Sequence, residues 1–329
     1  MRERPPVPDD ALAAALGAGW GVAAASVEFL PVGDDSNAWS FGVVGGDGAP
    51  WFLKVRRIPV DRAAVLVPRF LREHGLGQVV AAVPAVAGDP WRPLDGFTLL
   101  LYPWVDGTPA MERGLTDRQW AELGRFAAAL HRVVLPPALA ATVPRESFVP
   151  WGAGPVRALG ARIDRERPGD PLGQELAGLW QAHREVIATA ADRAEGLGRA
   201  VAANRPRLVL CHGDLHTANV LVDRRDRLAV VDWDGLQLAP PERDLLSAAG
   251  DEGTWFFEGY GPATLDPLTT AYYRWEWVVQ ELADYGGRVL DGRLGAETRR
   301  VAVAEFRGLF APGNVVEAAW AADRRLALS

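Results

Sequence analysis

Residues 208–235 read LVLCHGDLHTANVLVDRRDRLAVVDWDG and gather Asp214, Asn219, Asp232 and Asp234 beside His212 and His216, two of the five histidines of the chain. Two short apolar runs, 220–222 and 228–231, flank a charged turn, the pattern of a β-hairpin. With Arg225 and Asp226 at its centre, Asn219 would face Asp232 at the open end. An amide oxygen and a carboxylate converging there suit a hard divalent cation such as Mg²⁺, with phosphate oxygens completing the octahedron. Asp214 lies five residues before Asn219 on the loop leading in, where a carboxylate can accept a proton from a hydroxyl. Aspartate and glycine are also ordinary turn formers, so it is the combination that points to chemistry.

A second signal is compositional. Lysine and arginine total 35, and Lys54 is the one lysine, which leaves 35 − 1 = 34 arginines. A preference for arginine codons explains the missing lysines but not the survivor. A compact ammonium on a flexible stem does work that a planar guanidinium cannot take over, which draws attention to Lys54 in the run WFLKVRR.

The elements that must carry these residues follow from the hydrophobic pattern. Residues 9–18 predict a short helix, and 26–32, 37–44 and 50–57 predict strands separated by GDDS and GGDGA turns. A helix is expected over 60–75, stopping at Gly75, with further strands at 79–86 and 97–105. A long amphipathic helix follows over 116–134 behind a threonine cap. Residues 135–171 are rich in proline and glycine and read as a long connection or a substrate-facing insertion; 172–201 and most of 242–327 read as helical.

At 329 residues, 49% hydrophobic and 23% charged, the chain is globular and long enough for about two domains. A net charge of −7 argues against a nucleic-acid partner and suits a cationic ligand. The single cysteine, Cys211, excludes a disulfide framework, and no metal-finger spacing is present. The opening MRERPPVPDD has no apolar signal region, and no run of about 18 apolar residues could span a bilayer. A cytoplasmic protein without a membrane partner is expected.

HGDLHTANVLVD followed by LAVVDWDG resembles the aminoglycoside phosphotransferase and choline kinase-like family. HGD stands where protein kinases have H-R-D, Asn219 has the offset of D-x-x-x-x-N, and DWD stands where they have D-F-G. Nearly the whole chain takes part, and within the family YYRWEWVVQELADYG and the overall length look most similar to the spectinomycin phosphotransferase branch. The resemblance implies an α+β, two-lobed protein-kinase-like fold. Residues 1–103 would form a small β-rich nucleotide-binding lobe, and 104–329 a larger, mainly helical lobe for catalysis and substrate.

It further implies transfer of the γ-phosphoryl group of ATP (or GTP) with Mg²⁺. Asp214 would accept the hydroxyl proton, Asn219 and Asp232 would hold the metal, and Lys54 would steady the α/β-phosphates. Glu73 is the candidate partner of Lys54 on the following helix. Ser36, in a polar turn that departs from G-x-G-x-x-G, would help cover the phosphates. The carbonyl of Pro103 and the N–H of Val105 would pair with adenine. Asp234, Glu276 and Glu281, with Trp277 alongside, are candidates for binding ammonium groups of the acceptor. His131 and His212 read as structural.

DWDG runs almost directly into PPERDLLSAAG with no activation segment, so no platform for a peptide is expected and the acceptor is small. A hydroxyl of a cationic aminoglycoside or aminocyclitol antibiotic is favoured. A metabolic kinase for choline, homoserine or another small alcohol is the first alternative, and a pseudokinase binding module the second. A metal-dependent hydrolase built on His212, His216 and Asp214 leaves Lys54 unexplained. Oligomeric state is not legible.

Overall fold

The computed structural model describes residues 3–33, 35, 37–57, 59–166, 168–246 and 253–328. The chain divides into two compact units, one made of residues 1–145 and 209–263, the other of 146–208 and 264–329. Both motifs singled out above, the strand with Lys54 and the stretch 208–235 from Val209 onward, fall in the first unit.

Helix α1 (Asp9–Trp20) leads into strands β1 (Ala24–Leu30), β2 (Ala38–Gly45) and β3 (Pro50–Arg56). Helix α2 (Arg62–Glu73) follows, then β4 (Trp91–Leu94) and β5 (Phe97–Pro103). The strands form one antiparallel sheet in the order β1-β2-β3-β5-β4. Strand alternation decides what each face does. Trp39, Phe41, Leu53, Val55, Leu99 and Leu101 are buried on one face. The other carries Phe52, Lys54 and Arg56, paired with Gly42, Ser40 and Ala38. Val65 of α2 packs with Leu100 and Tyr102 on this second face, so the helix after β3 lies against the Lys54 side of the sheet.

Beyond β5 the chain runs through β6 (Gly107–Pro109), α3 (Ala110–Arg113), α4 (Asp117–Leu130) and α5 (Pro137–Ala140). The start of α4 is the expected threonine cap, completed as a capping box by Gln119. Three helices of the second unit come next: α6 (Ala153–Glu166), α7 (Pro171–Ala182) and α8 (Arg184–Asn204). The chain then returns with β7 (Val209–Cys211), β8 (Val220–Asp223), β9 (Leu228–Val230), β10 (Gln237–Ala239), α9 (Glu242–Leu245) and α10 (Gly253–Tyr260). The second unit is completed by α11 (Pro267–Leu290), α12 (Ala296–Gly308) and α13 (Val315–Leu326). Its central element is α11, which packs against α6, α8, α12 and α13. Among the described residues no helix is long and apolar enough to cross a membrane.

Three expectations change. Residues 79–86 are not a strand: Val80 N bonds Val230 O and Val83 N bonds Leu101 O, so the segment passes from one sheet to another instead of following either. The edge position belongs to β4, whose Pro93 is tolerated there because an edge strand can do without one N–H. The proline- and glycine-rich stretch 135–171 contains a 14-residue helix, α6, whose Gly160 leaves room for the Trp180 ring. Finally, the β8–β9 register pairs Val220 with Val230 and Val222 with Leu228, one residue away from the expected pairing. Asp226 takes φ +61 and Asp223 N bonds Arg227 O. The turn is therefore a three-residue loop with its last residue left-handed, not a two-residue loop. Asn219 O accordingly receives Val231 N, and Asp232 lies just past the ladder.

Candidate active site

The loop after β7 is pinned from below. Asp244 of α9, 1% exposed, accepts His212 N at 2.9 Å and Gly213 N at 2.8 Å, and His131 Nε2 of α4's C-terminal end lies 3.1 Å from it. His131 Nδ1 meets the Tyr260 hydroxyl at 2.8 Å. His212 is fully buried: its Nε2 donates to Val231 O at 3.0 Å, its Nδ1 accepts Asp214 N, and its ring packs on Trp233. Both histidines are thus structural, as expected. Gly213 at φ +86 lets the loop lie backbone to backbone on Gly235. A Cβ there would strike the Gly235 carbonyl oxygen, so the approach of the two motifs requires glycine at 213.

Held in this way, Asp214 turns its carboxylate outward, with 58% of the side chain exposed. Asn219 Nδ2 donates to Asp214 Oδ2 and to its carbonyl, both at 2.9 Å, and His216 Nε2 lies 3.3 Å from the same carboxylate. Burial works against the charge of Asp214, but the His216 hydrogen bond and the charges of His216, His212 and Arg243 outweigh it. The carboxyl therefore titrates below its ordinary 3.8 and is ionised at neutral pH.

Asp232 sits at φ +60, a left-handed conformation that costs a non-glycine residue free energy and recurs at functional turns. Lys54 Nζ lies 3.0 Å from Asp232 Oδ1 and 2.8 Å from Asp234 Oδ2. Arg56 Nη1 reaches Asp234 Oδ1 at 2.6 Å. Two cations of one strand face thus meet two carboxylates of one turn. Burial disfavours the charged ammonium, yet Asp232 and Asp234 hold the Lys54 pKa above its ordinary 10.5. Burial likewise opposes ionised Asp232, but Lys54 lowers its pKa, and the charge of Asp214 is felt there as well.

The acid that meets Lys54 is therefore not Glu73. Glu73 is in the last turn of α2, 55% exposed, and pairs with Arg69 one turn back at 2.8 Å. Asp234, expected to face an acceptor, is engaged by Lys54 and Arg56 through both oxygens. Ser36 lies outside the described residues. Pro103 ends β5 opposite Trp51, and with Val105 it lines a cavity of about 510 Å³ that Arg72, Val80 and Leu228 also wall. Glu276, Trp277 and Glu281 belong to α11 of the second unit. Glu276 is 6% exposed and bonded by the Gln280 amide; Trp277 Nε1 donates to Glu281 at 2.9 Å.

Sequence reasoning missed Arg56, Asp244 and the aromatic surface beside Lys54. Phe52 shares the strand face of Lys54 and stands edge-on to Tyr102, and a Cβ at Gly42 would come within 3.7 Å of the Trp104 ring. Period-two alternation places Phe52 and Arg56 with Lys54 and could have found both. No local pattern marks Asp244.

A sequence model of the phosphotransferase enzyme family matches residues 28–284. Protein StrN of Streptomyces griseus is 28% identical over 269 residues, 80% of this chain and 79% of that protein. The crystal structure of spectinomycin phosphotransferase APH(9)-Ia in complex with ADP and spectinomycin superposes with a TM-score of 0.85 at 26% identity, covering 97% of this chain and all of that one. The AMP-bound complex of the same enzyme gives 0.82 at 25% identity, covering 96% and 99%.

Proposed function

The chain belongs to the phosphotransferase enzyme family, and from that premise we propose that it transfers the γ-phosphoryl group of ATP to a hydroxyl of a small, cationic aminoglycoside or aminocyclitol antibiotic. The observation that carries this reading is the meeting of the sole lysine, Lys54, with Asp232, while Asp214 and Asn219 are bonded to each other on the neighbouring loop. Resemblance to a phosphotransferase structure holding ADP and spectinomycin supports both the nucleotide and the acceptor class.

Asp214 accepts the acceptor's hydroxyl proton as that oxygen attacks the γ-phosphorus and ADP departs. Lys54 steadies the α/β-phosphates. Asn219 and Asp232 are the residues that would hold Mg²⁺, and the donor set fits. The Asn219 amide nitrogen is directed at Asp214, which leaves its oxygen, and Asp232 is 44% exposed. When bound, the ion would supply positive charge to offset the negative charge that develops on the transferring group. The Pro103 carbonyl and Val105 N–H serve the adenine edge, with Phe52 and Trp104 as aromatic surface for its ring. The Ser36 hydroxyl is proposed to help cover the phosphates. Residues 1–103 act as the nucleotide lobe and 104–329 as the lobe for catalysis and acceptor, with Glu276, Trp277 and Glu281 as the candidates for the acceptor's ammonium groups. The cytoplasm, where ATP is abundant, is the compartment this activity requires.

Incubation with Mg²⁺·ATP and a panel of antibiotics and small alcohols, read by mass spectrometry, tests the reading. An aminocyclitol or aminoglycoside should gain about 80 Da, the mass of HPO3. Gain on choline, homoserine or ethanolamine instead would move the acceptor to metabolism, and no gain on any acceptor would refute the activity. Asp214→Asn should lower kcat by about a hundredfold or more. Because the Asp214 pKa is depressed, kcat/KM should show no acid limb from this residue above about pH 4.

A further inference from the structure

Arg56 is one of the least exposed charged residues of the first unit: 8% of its side chain is accessible, and its Nε is buried without a partner. Such burial is costly for a guanidinium, and pairing offsets the cost only where the geometry is good and the remaining N–H groups are satisfied. Among the described residues its guanidinium meets Asp234 Oδ1 at 2.6 Å, and the other oxygen of that carboxylate is 2.8 Å from Lys54. Arg56 and Lys54 lie two residues apart on the same strand face, so both reach the turn 232–234 from one rigid surface.

Building on the phosphotransferase reading, we infer that Arg56 is a positioning residue: it clamps Asp234, and Asp234, in place of a helix glutamate, keeps Lys54 in line for the nucleotide. In the structure Lys54 is shared by Asp232 and Asp234. Asp232 is the carboxylate that would turn to the metal, and Lys54 then retains Asp234 as its anchor. An anchor that pivots cannot align an ammonium. The short contact from Arg56, whose own side chain is buried, removes that freedom, and its positive charge weakens Asp234 as a competitor for the cation. Glu73 at the end of α2 is bonded to Arg69 and does not take this part.

The test is a double-variant cycle read by calorimetric titration of Mg²⁺·ADP, which requires no acceptor. Arg56→Gln should weaken binding about tenfold, and Arg56→Lys, which keeps the charge but not the fork, should recover part of it. In a Lys54→Met background Arg56→Gln should have no further effect, because Arg56 acts through the lysine. If Arg56→Gln does not fold, Asp234→Asn in the same pair of backgrounds carries the test. Equal losses with and without Lys54, or binding within about twofold of wild type, would overturn the inference and leave the phosphotransferase reading intact. Wild-type protein that binds no Mg²⁺·ADP would end both.

Discussion

Asp244 shows how one carboxylate can organise a loop from beneath it. Burial alone would raise its pKa, but the His131 hydrogen bond, the charges of His131 and His212 and the Gly213 N–H outweigh it, and it titrates below 3.8. A carboxyl whose folded pKa lies below its unfolded one binds fewer protons folded than unfolded. Its contribution is therefore complete above the unfolded value of about 3.9 and is lost as the pH falls through the folded value. Asp244→Asn turns one acceptor into a donor facing an N–H, and should cost about 3 kcal/mol at neutral pH. Denaturant titrations at pH 7 and near pH 3 check this: the gap between variant and wild type should narrow in acid, and a gap independent of pH would show that the charge contributes nothing. Asp214, Asn219, Asp232 and Lys54 were legible because their types and spacings are uncommon together. Arg56 and Asp244 were not: one is among 34 arginines, the other among 42 acids. Their partners lie 178 and 32 residues away in sequence, a proximity that only the tertiary fold creates.

At the level of elements, strand alternation and helix caps were readable, and close backbone approach was not. The five sheet strands differ from expectation mainly at β4, a four-residue strand containing a proline that carries little pattern of its own. Gly124 of α4 faces the Phe256 carbonyl of α10, while Gly259 of α10 faces the Ala121 carbonyl of α4. Glycine within a helix lowers its propensity, so these two positions weaken the local signal in order to let the helices touch. Gly124→Ala would drive a methyl into backbone, and should destabilise by about 1–3 kcal/mol or more. Activity of the folded fraction should be retained, because Gly124 touches none of the site residues. Gly213→Ala should do the reverse of sparing function: it places a side chain at φ +86 against Gly235 and displaces Asp214 from Asp232. Thermal melts paired with kcat separate the two outcomes, and an active Gly213→Ala would show that the two motifs need not lie in backbone contact.

For the molecule as a whole, the site residues that meet in space all come from the first compact unit, although 63 residues of the second unit, 146–208, interrupt it in sequence. Contacts across that interruption, such as Lys54 with Asp232, exist only when both segments of the unit are folded together. A ligand that binds this arrangement and not the unfolded chain must stabilise it by mass action, about 2.7 kcal/mol when the ligand stands at a hundred times its Kd. Under that condition Mg²⁺·ADP should slow exchange of the most protected amides of β3, β8 and β9 by about a hundredfold, through suppression of the opening that separates the two segments. Asp232→Asn should remove the part of this protection that depends on Mg²⁺ while leaving a weaker effect of ADP alone, since Lys54 remains. Hydrogen exchange resolved by residue tests the claim directly. Protection confined to α11 and its neighbours, with β3 and the hairpin unaffected, would place the nucleotide elsewhere and separate Lys54 and Asp232 from the chemistry proposed for them.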